Sequence, residues 1–259
     1  EFSLPKSLKE VSGMTLSSDK KIIWTLEDQG NKNKIYGISA ISGKLVKEVE
    51  ITDAVNTDWE ELTTDKKGFS YIGDFGNNEN DRKDLVIYKI DLRNPQEQID
   101  VLQTTTFYYP EQKSFPPKKS ELMFDCEAFV VYQNDFYLFT KNRSKDFDGT
   151  LFVYKVPNQL GNFAAQKVGT ITLDGGYNDA VVTAATINSK EDKIVLLSHK
   201  NVHILSGFNS DNFNKVQIKT VELNHNSQKE SIVFKDDSTL LIADERNKKT
   251  GGNIYSLSL

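Results

Sequence analysis

Apolar residues fall in short runs bounded by polar ones along the chain, as in "KIIWTLED" (21–28), "DLVIYKID" (84–91) and "TLFVYKV" (150–156). Such runs, rich in Val, Ile, Thr, Tyr and Phe and divided by Gly, Asn, Asp and Ser, predict short antiparallel strands joined by tight turns. The best helical candidate, "KEVEITDAVNTDWEEL" (47–62), is interrupted by β-branched residues. No apolar run approaches the ~20 residues needed to span a bilayer as a helix. An all-β chain is predicted.

The strand-sized pieces group into a repeat. The first segment holds "EVSGMTLS", "KIIWTLED", "KIYGIS" and "GKLVKEVEI", and the second "WEELTTD", "FSYIGDF", "DLVIYKID" and "VLQTTTFYY". The third holds "CEAFVVY", "DFYLFTKN", "TLFVYKV" and "KVGTITL", and the fourth "AVVTAATI", "DKIVLLSH", "NVHILSG" and "VQIKTVEL". The landmarks Glu10, Glu60, Glu127, Ala184 and Glu230 stand 50, 67, 57 and 46 residues apart, which suits propeller blades with some long loops. The fifth segment supplies only "ESIVFKD", "TLLIADE" and "NIYSLSL", while "EFSLPKSL" at the other terminus belongs to no blade. If that N-terminal piece becomes the outer strand of the last blade, the ring closes without an open sheet edge. A single β-propeller domain over 1–259 is therefore expected, with five four-stranded blades; six is the alternative if the interval from Glu60 to Glu127 hides another repeat. "YYPEQKSFPPKKSE" (108–121) reads as the connection between blades 2 and 3, or as a lid over one mouth of the channel.

In a propeller the first strand of each blade lies nearest the axis, so residues far apart in sequence converge there. Glu10, Glu60, Glu127 and Glu230 open that strand in four repeats, and "YNDAVVTAA" (177–185) offers Asn178, Asp179 and Thr183 in the remaining one. Several carboxylates around a narrow axis must protonate, find cationic partners or bind a metal. Ca2+ suits an all-oxygen set, with Glu10, Glu60, Glu127 and Glu230 as its expected ligands. The alternative is that each Glu pairs with Lys, Arg or backbone N–H and locks the blades together. Asp28, Asp74, Lys141 and Asp244 end the second strands and would border the same mouth. In "GDFGNNENDRKDL" (73–85), Asp74, Asn77, Asn78 and Arg82 could contact a phosphate or sugar, or form an Asx-rich turn that caps two strands.

Composition narrows the partners. The 259 residues carry 32 Lys and Arg against 37 Asp and Glu, a formal charge of −5, with no basic block, so nucleic acid is not an expected ligand. Cys126 is the single cysteine and forms no internal disulfide; strand alternation turns it away from the face of Glu127 into packing between blades, as an inert thiol. Trp24 and Trp59 read as blade packing. His199, His203 and His225 lack zinc-ligand spacing, and no G-x-S-x-G elbow is present. The chain opens at Glu1-Phe2 without Met, as expected of a processed or trimmed product. A monomer in an extracytoplasmic setting (periplasmic, secreted or lipid-anchored) is expected.

The stretches 4–38, 56–90, "FDCEAFVV" (124–131), "VVTAATI" (181–187) and "KESIVFKDDSTLLIADE" (229–245) together resemble secreted or lipid-anchored β-propeller proteins of Bacteroidetes-type bacteria. The first and last blades also look like SdiA-regulated and phytase-like esterase propellers. These resemblances imply an envelope location and a calcium site. "WEELTTDKKGFSYIGDFG" (59–76), with five blades and acidic inner strands, is similar to the calcium-dependent apyrases, five-bladed enzymes that hydrolyse nucleoside di- and triphosphates around an axial calcium. Two functions follow as expectations: a calcium-bearing module that binds a small molecule, glycan or protein at its mouth, or a calcium-dependent hydrolase of phosphate esters, nucleotides or lactones.

Overall fold

A computed structural model describes residues 2–247 and 250–259 and shows five β-sheets arranged as blades in a ring. The innermost strands are Val11–Leu16, Trp59–Thr64, Asp125–Tyr132, Ala184–Ile187 and Lys229–Asp236, and each contacts the next in a closed cycle. Every blade then runs outward through antiparallel neighbours, in blade 3 for example through Asp135–Lys141, Thr150–Pro157 and Gln166–Thr172. Blade 5 is completed by the N-terminal strand Phe2–Ser3, with Phe2 opposite Ile254 and Ser3 opposite Asn253, so the two chain ends fasten the ring. The interval from Glu60 to Glu127 holds no sixth blade. It holds instead a long connection whose strand Gln98–Ile99 adds in parallel to the outer edge of blade 1. Gly161–Ala164 does the same for blade 2, so two outer edges are covered by chain from the following blade. Among the described residues no helix is long and apolar enough to cross a membrane.

Strand alternation explains the core. Ala128, Val130 and Tyr132 of blade 3 face Ala185, Ile194 and Leu196 of blade 4, whereas Phe129 and Val131 turn the other way onto Tyr71 and Phe75 of blade 2. Five apolar clusters arise in this way, one in each gap between consecutive blades. Trp24 and Trp59 share the cluster between blades 1 and 2. Cys126 is buried between blades 2 and 3, where burial raises its thiol far above the ordinary range.

Four of the five innermost strands carry a bulge near their start, which leaves Gly13, Glu60, Glu127 and Glu230 unpaired in the ladder. Gly13 has φ +61°, and a Cβ on it would collide with the backbone of Glu61 and Leu62. Blade 1 thus approaches blade 2 too closely for a side chain, so the position filled by Glu in blades 2, 3 and 5 is Gly in blade 1.

Candidate functional site

The starts of the innermost strands frame one mouth of the channel. Asp58, Glu60 and Glu230 are only 3%, 7% and 7% exposed, and no hydrogen-bond donor among the described residues reaches any of their carboxyl groups. His199 comes nearest, with Nε2 3.7 Å from Glu230 Oε1. Asp58 and Glu60 both crowd the α-carbon of Gly76, where only the missing side chain makes room for them. Glu127 is differently placed: Lys141 Nζ donates to its Oε2, and Arg143 Nη2 lies 2.7 Å from its Oε1. Arg143 also reaches Asp125 Oδ2 through Nε at 2.6 Å and donates to Asn78 Oδ1.

These groups sense one another. Burial first, then the charge of Asp125, pushes Asp58 up to about 6, and burial with the Glu10, Asp58 and Glu230 charges pushes Asp28 up to about 7. Burial raises Glu245 to about 9, with Glu230 the largest charge contribution, and raises Glu60 well above the usual carboxyl range with Glu127 next. Glu127 goes up to about 8 by burial, with Lys141 and Arg143 pulling the other way. Desolvation works against the Lys141 ammonium, but the Glu127 and Glu230 charges overcome it and keep the group protonated. Each raised carboxyl makes the native state hold protons that the unfolded chain has released, so stability must fall as pH rises through these values. We expect the urea midpoint to drop steadily from about pH 5 to about pH 9. A midpoint that climbs across that interval would contradict the arrangement.

The other residues singled out in the sequence have identifiable places. Glu10 lies just before the strand, exposed, and accepts from Asn31 Nδ2 at 2.9 Å. Asp74 holds its own loop: it accepts from Asp58 N at 3.0 Å and from Arg82 Nη2 at 3.0 Å, while Arg82 Nη1 donates to Gly76 O at 2.8 Å. Asp244 accepts from Asn253 N and Tyr255 Oη at 2.8 and 2.9 Å, and Thr183 Oγ1 donates to Lys229 O at 2.6 Å across blades 4 and 5. Asp179 accepts from Gly176 N at 3.1 Å, and Asn178 Oδ1 faces His199 Nδ1 at 3.1 Å. Thus Asp28, Glu60, Lys141 and Glu230 share the mouth with Glu127, whereas Asp74, Arg82, Thr183 and Asp244 serve the surrounding framework.

Asp58, Asp125, Arg143 and Glu245 join the site without having been singled out. The first two had a signal, because "Asp58-Trp59-Glu60" and "Asp125-Cys126-Glu127" repeat an Asp-x-Glu pattern. Glu61 is also unanticipated. It is wholly buried, and its carboxyl accepts from Leu62 N at 2.9 Å and from Ala185 N at 2.9 Å. Blades 2 and 4 are not neighbours in the ring, so this side chain crosses the channel beneath the mouth.

A cavity of about 1090 Å³ opens at the opposite end, lined by Leu16, Thr64, Val131, Ile187 and Val233 where the innermost strands finish. Its polar groups largely satisfy each other, as in Thr15–Thr64 at 2.9 Å, Lys66–Glu191 at 3.0 Å and Ser189–Asp237 at 2.9 Å. The unpartnered carboxyls make the acidic mouth the stronger candidate. Among the described residues, no three His, Cys, Asp or Glu side chains are grouped so as to hold a metal ion as they stand.

No protein-family model and no curated protein matches the chain. Solved structures match its fold. An aldose sugar dehydrogenase from Streptomyces coelicolor, in its PQQ-bound form, aligns with a TM-score of 0.54 at 9% identity, covering 99% of this chain and 96% of that one. The hydrazine synthase of Kuenenia stuttgartiensis aligns at 0.52 and 11% identity over 95% of this chain and 71% of that one. U3-55K aligns at 0.51 and 10% identity over 100% and 98%. Identities this low establish the propeller fold alone.

Proposed function

We propose that the protein is a binding module whose acidic mouth takes up a cationic ligand. The observation that carries this reading is the set of three buried carboxyls, on Asp58, Glu60 and Glu230, that no donor in the described chain satisfies. Carboxylates crowded around one mouth repel one another, as the Asp58 and Glu60 shifts register, and one bound cation relieves several together. Calcium is the metal whose chemistry this oxygen-only set suits. Asp58 and Glu60, side by side against Gly76, would hold it, since Lys141 and Arg143 already occupy Glu127. An extracytoplasmic location, where calcium is abundant, belongs to the same proposal.

Thermal unfolding of chelator-stripped protein tests the reading. A ligand present at 100 times its Kd stabilises the native state by about 2.7 kcal/mol, so added Ca2+ should raise the midpoint by several degrees. The paired change Asp58→Asn with Glu60→Gln should abolish that rise while raising the baseline stability at alkaline pH. A rise that survives intact in the paired variant would overturn the assignment, as would a wild-type midpoint indifferent to every cation tried.

A further inference from the structure

The connection between blades 2 and 3 lies against blade 3 and encloses a cavity with it. About 500 Å³ in volume, the cavity is bounded by Glu111, Met123 and Phe124 of the connection and by Phe152, Tyr154 and Lys167 of blade 3. Met123, Phe124 and Phe152 make its walls apolar, and two charged side chains on it are each held back from the other. Tyr154 Oη donates to Glu111 Oε2 at 3.1 Å, which leaves Oε1 without a donor among the described residues. Lys167 Nζ lies 3.3 Å from the centre of the Phe152 ring and reaches no hydrogen-bond acceptor among the described residues. Partial burial lowers the pKa of the Lys167 ammonium, and the Glu111 charge opposes that shift. Opposite charges thus feel each other across the cavity yet form no ion pair. Lys113 and Glu121 also line it, adding one charge of each sign, and Lys113 is turned back onto Pro110 O at 2.5 Å. The charged lining is balanced, so it favours neither a lone anion nor a lone cation.

We propose that this cavity binds a zwitterionic α-amino acid with a bulky apolar side chain. The α-ammonium donates to Glu111 Oε1, the α-carboxylate accepts from Lys167 Nζ, and the side chain packs on Phe124 and Phe152. Glu111 and Lys167 are both exposed, so a ligand reaches them without breaking an internal bond. A cavity of this size, apolar with a few convergent polar groups, is the usual form of a small-molecule site. A simple carboxylate would set its charge against Glu111, and a simple amine would set its charge against Lys167; the amino acid answers both. The site shares no residue with the acidic mouth and stands independently of that reading.

Titration calorimetry with L-phenylalanine, 3-phenylpropionate, phenethylamine and glycine tests each contact. Phenylalanine should bind, whereas 3-phenylpropionate, which lacks the ammonium, and phenethylamine, which lacks the carboxylate, should each bind about tenfold more weakly or worse. Glycine, with nothing to place on the apolar walls, should give no detectable binding. In Lys167→Met, phenylalanine should bind no better than phenethylamine, and in Glu111→Gln no better than 3-phenylpropionate. That crossed pattern separates charge recognition from general damage, which would weaken all ligands alike. Thermal midpoints of both variants establish that they fold. Phenylalanine binding no tighter than its two analogues, or equal losses for all three ligands in either variant, would overturn the assigned contacts. Absence of phenylalanine binding would overturn the site, whatever the calcium response of the mouth.

Discussion

Replacing Lys141 with methionine is expected to cost about 3–5 kcal/mol of stability, the penalty for stripping one partner from a buried ion pair. Lys141 is 4% exposed, its ammonium rests on Glu127, and its removal leaves that carboxyl to Arg143 alone, within the field of Glu60, Glu230 and Asp125. Methionine keeps most of the volume, so the loss reports charge rather than a cavity. The double change Lys141→Met with Glu127→Gln should recover most of it, because a neutral pair carries no stranded charge. The sign with pH follows. Without Lys141 the Glu127 carboxyl is raised further above its unfolded value, so the deficit should be small where Glu127 is protonated and should widen as pH rises toward about 9. Urea unfolding of the single and double variants at both pH extremes would check this. A deficit that stays flat with pH would show that Lys141 acts by packing, not by neutralising Glu127.

The architecture was legible because its causes are local. Runs such as 22–27 and 136–141 announce strands by their length and their β-branched and aromatic residues, and the missing fourth strand of the last segment foretold closure by Phe2–Ser3. The parallel strands Gln98–Ile99 and Gly161–Ala164 were not legible, because their pairing depends on which blade edge the connection passes. Glu60, Glu127 and Glu230 stand at the bulge positions, but Glu61 was missed for a physical reason. A bulge inserts a residue into the period-two pattern, so sequence alone cannot say which of Glu60 and Glu61 turns to the mouth and which to the channel. In blade 1 the same reasoning chose Glu10, whereas the bulge position is Gly13, three residues later. Only the close approach of blade 2 explains a glycine there. Arg143 was equally hidden, since a loop arginine takes its importance from Asp125 and Glu127, which other strand positions bring within reach.

Glu61 carries the second large effect. Its carboxyl accepts backbone N–H groups from Leu62 and from Ala185 on the far side of the ring, and the Met14 amide of blade 1 also points to it. Glu61→Ala would orphan these buried amides at about 1–3 kcal/mol each, so a total loss of roughly 3 kcal/mol or more is expected. Glu61→Gln preserves the volume and one acceptor but turns an N–H2 toward another donor, so its cost should be smaller, about 1–2 kcal/mol at mildly acidic pH. Burial pushes the wild-type carboxyl well above the ordinary Glu range, against the pull of those amides. Wild-type stability therefore declines as pH rises from the unfolded value through the folded one, whereas the glutamine variant has no proton to lose there. The gap between the two should close with rising pH. Hydrogen exchange gives a separate readout, because the Ala185 amide is tied to a side chain from a blade that blade 4 does not adjoin. In Glu61→Ala that amide should exchange faster, while Thr186, paired with Val195 within its own blade, stays protected. Equal acceleration at both would mean that the whole innermost strand has loosened, and that Glu61 fastens blade 4 itself rather than a bond across the axis.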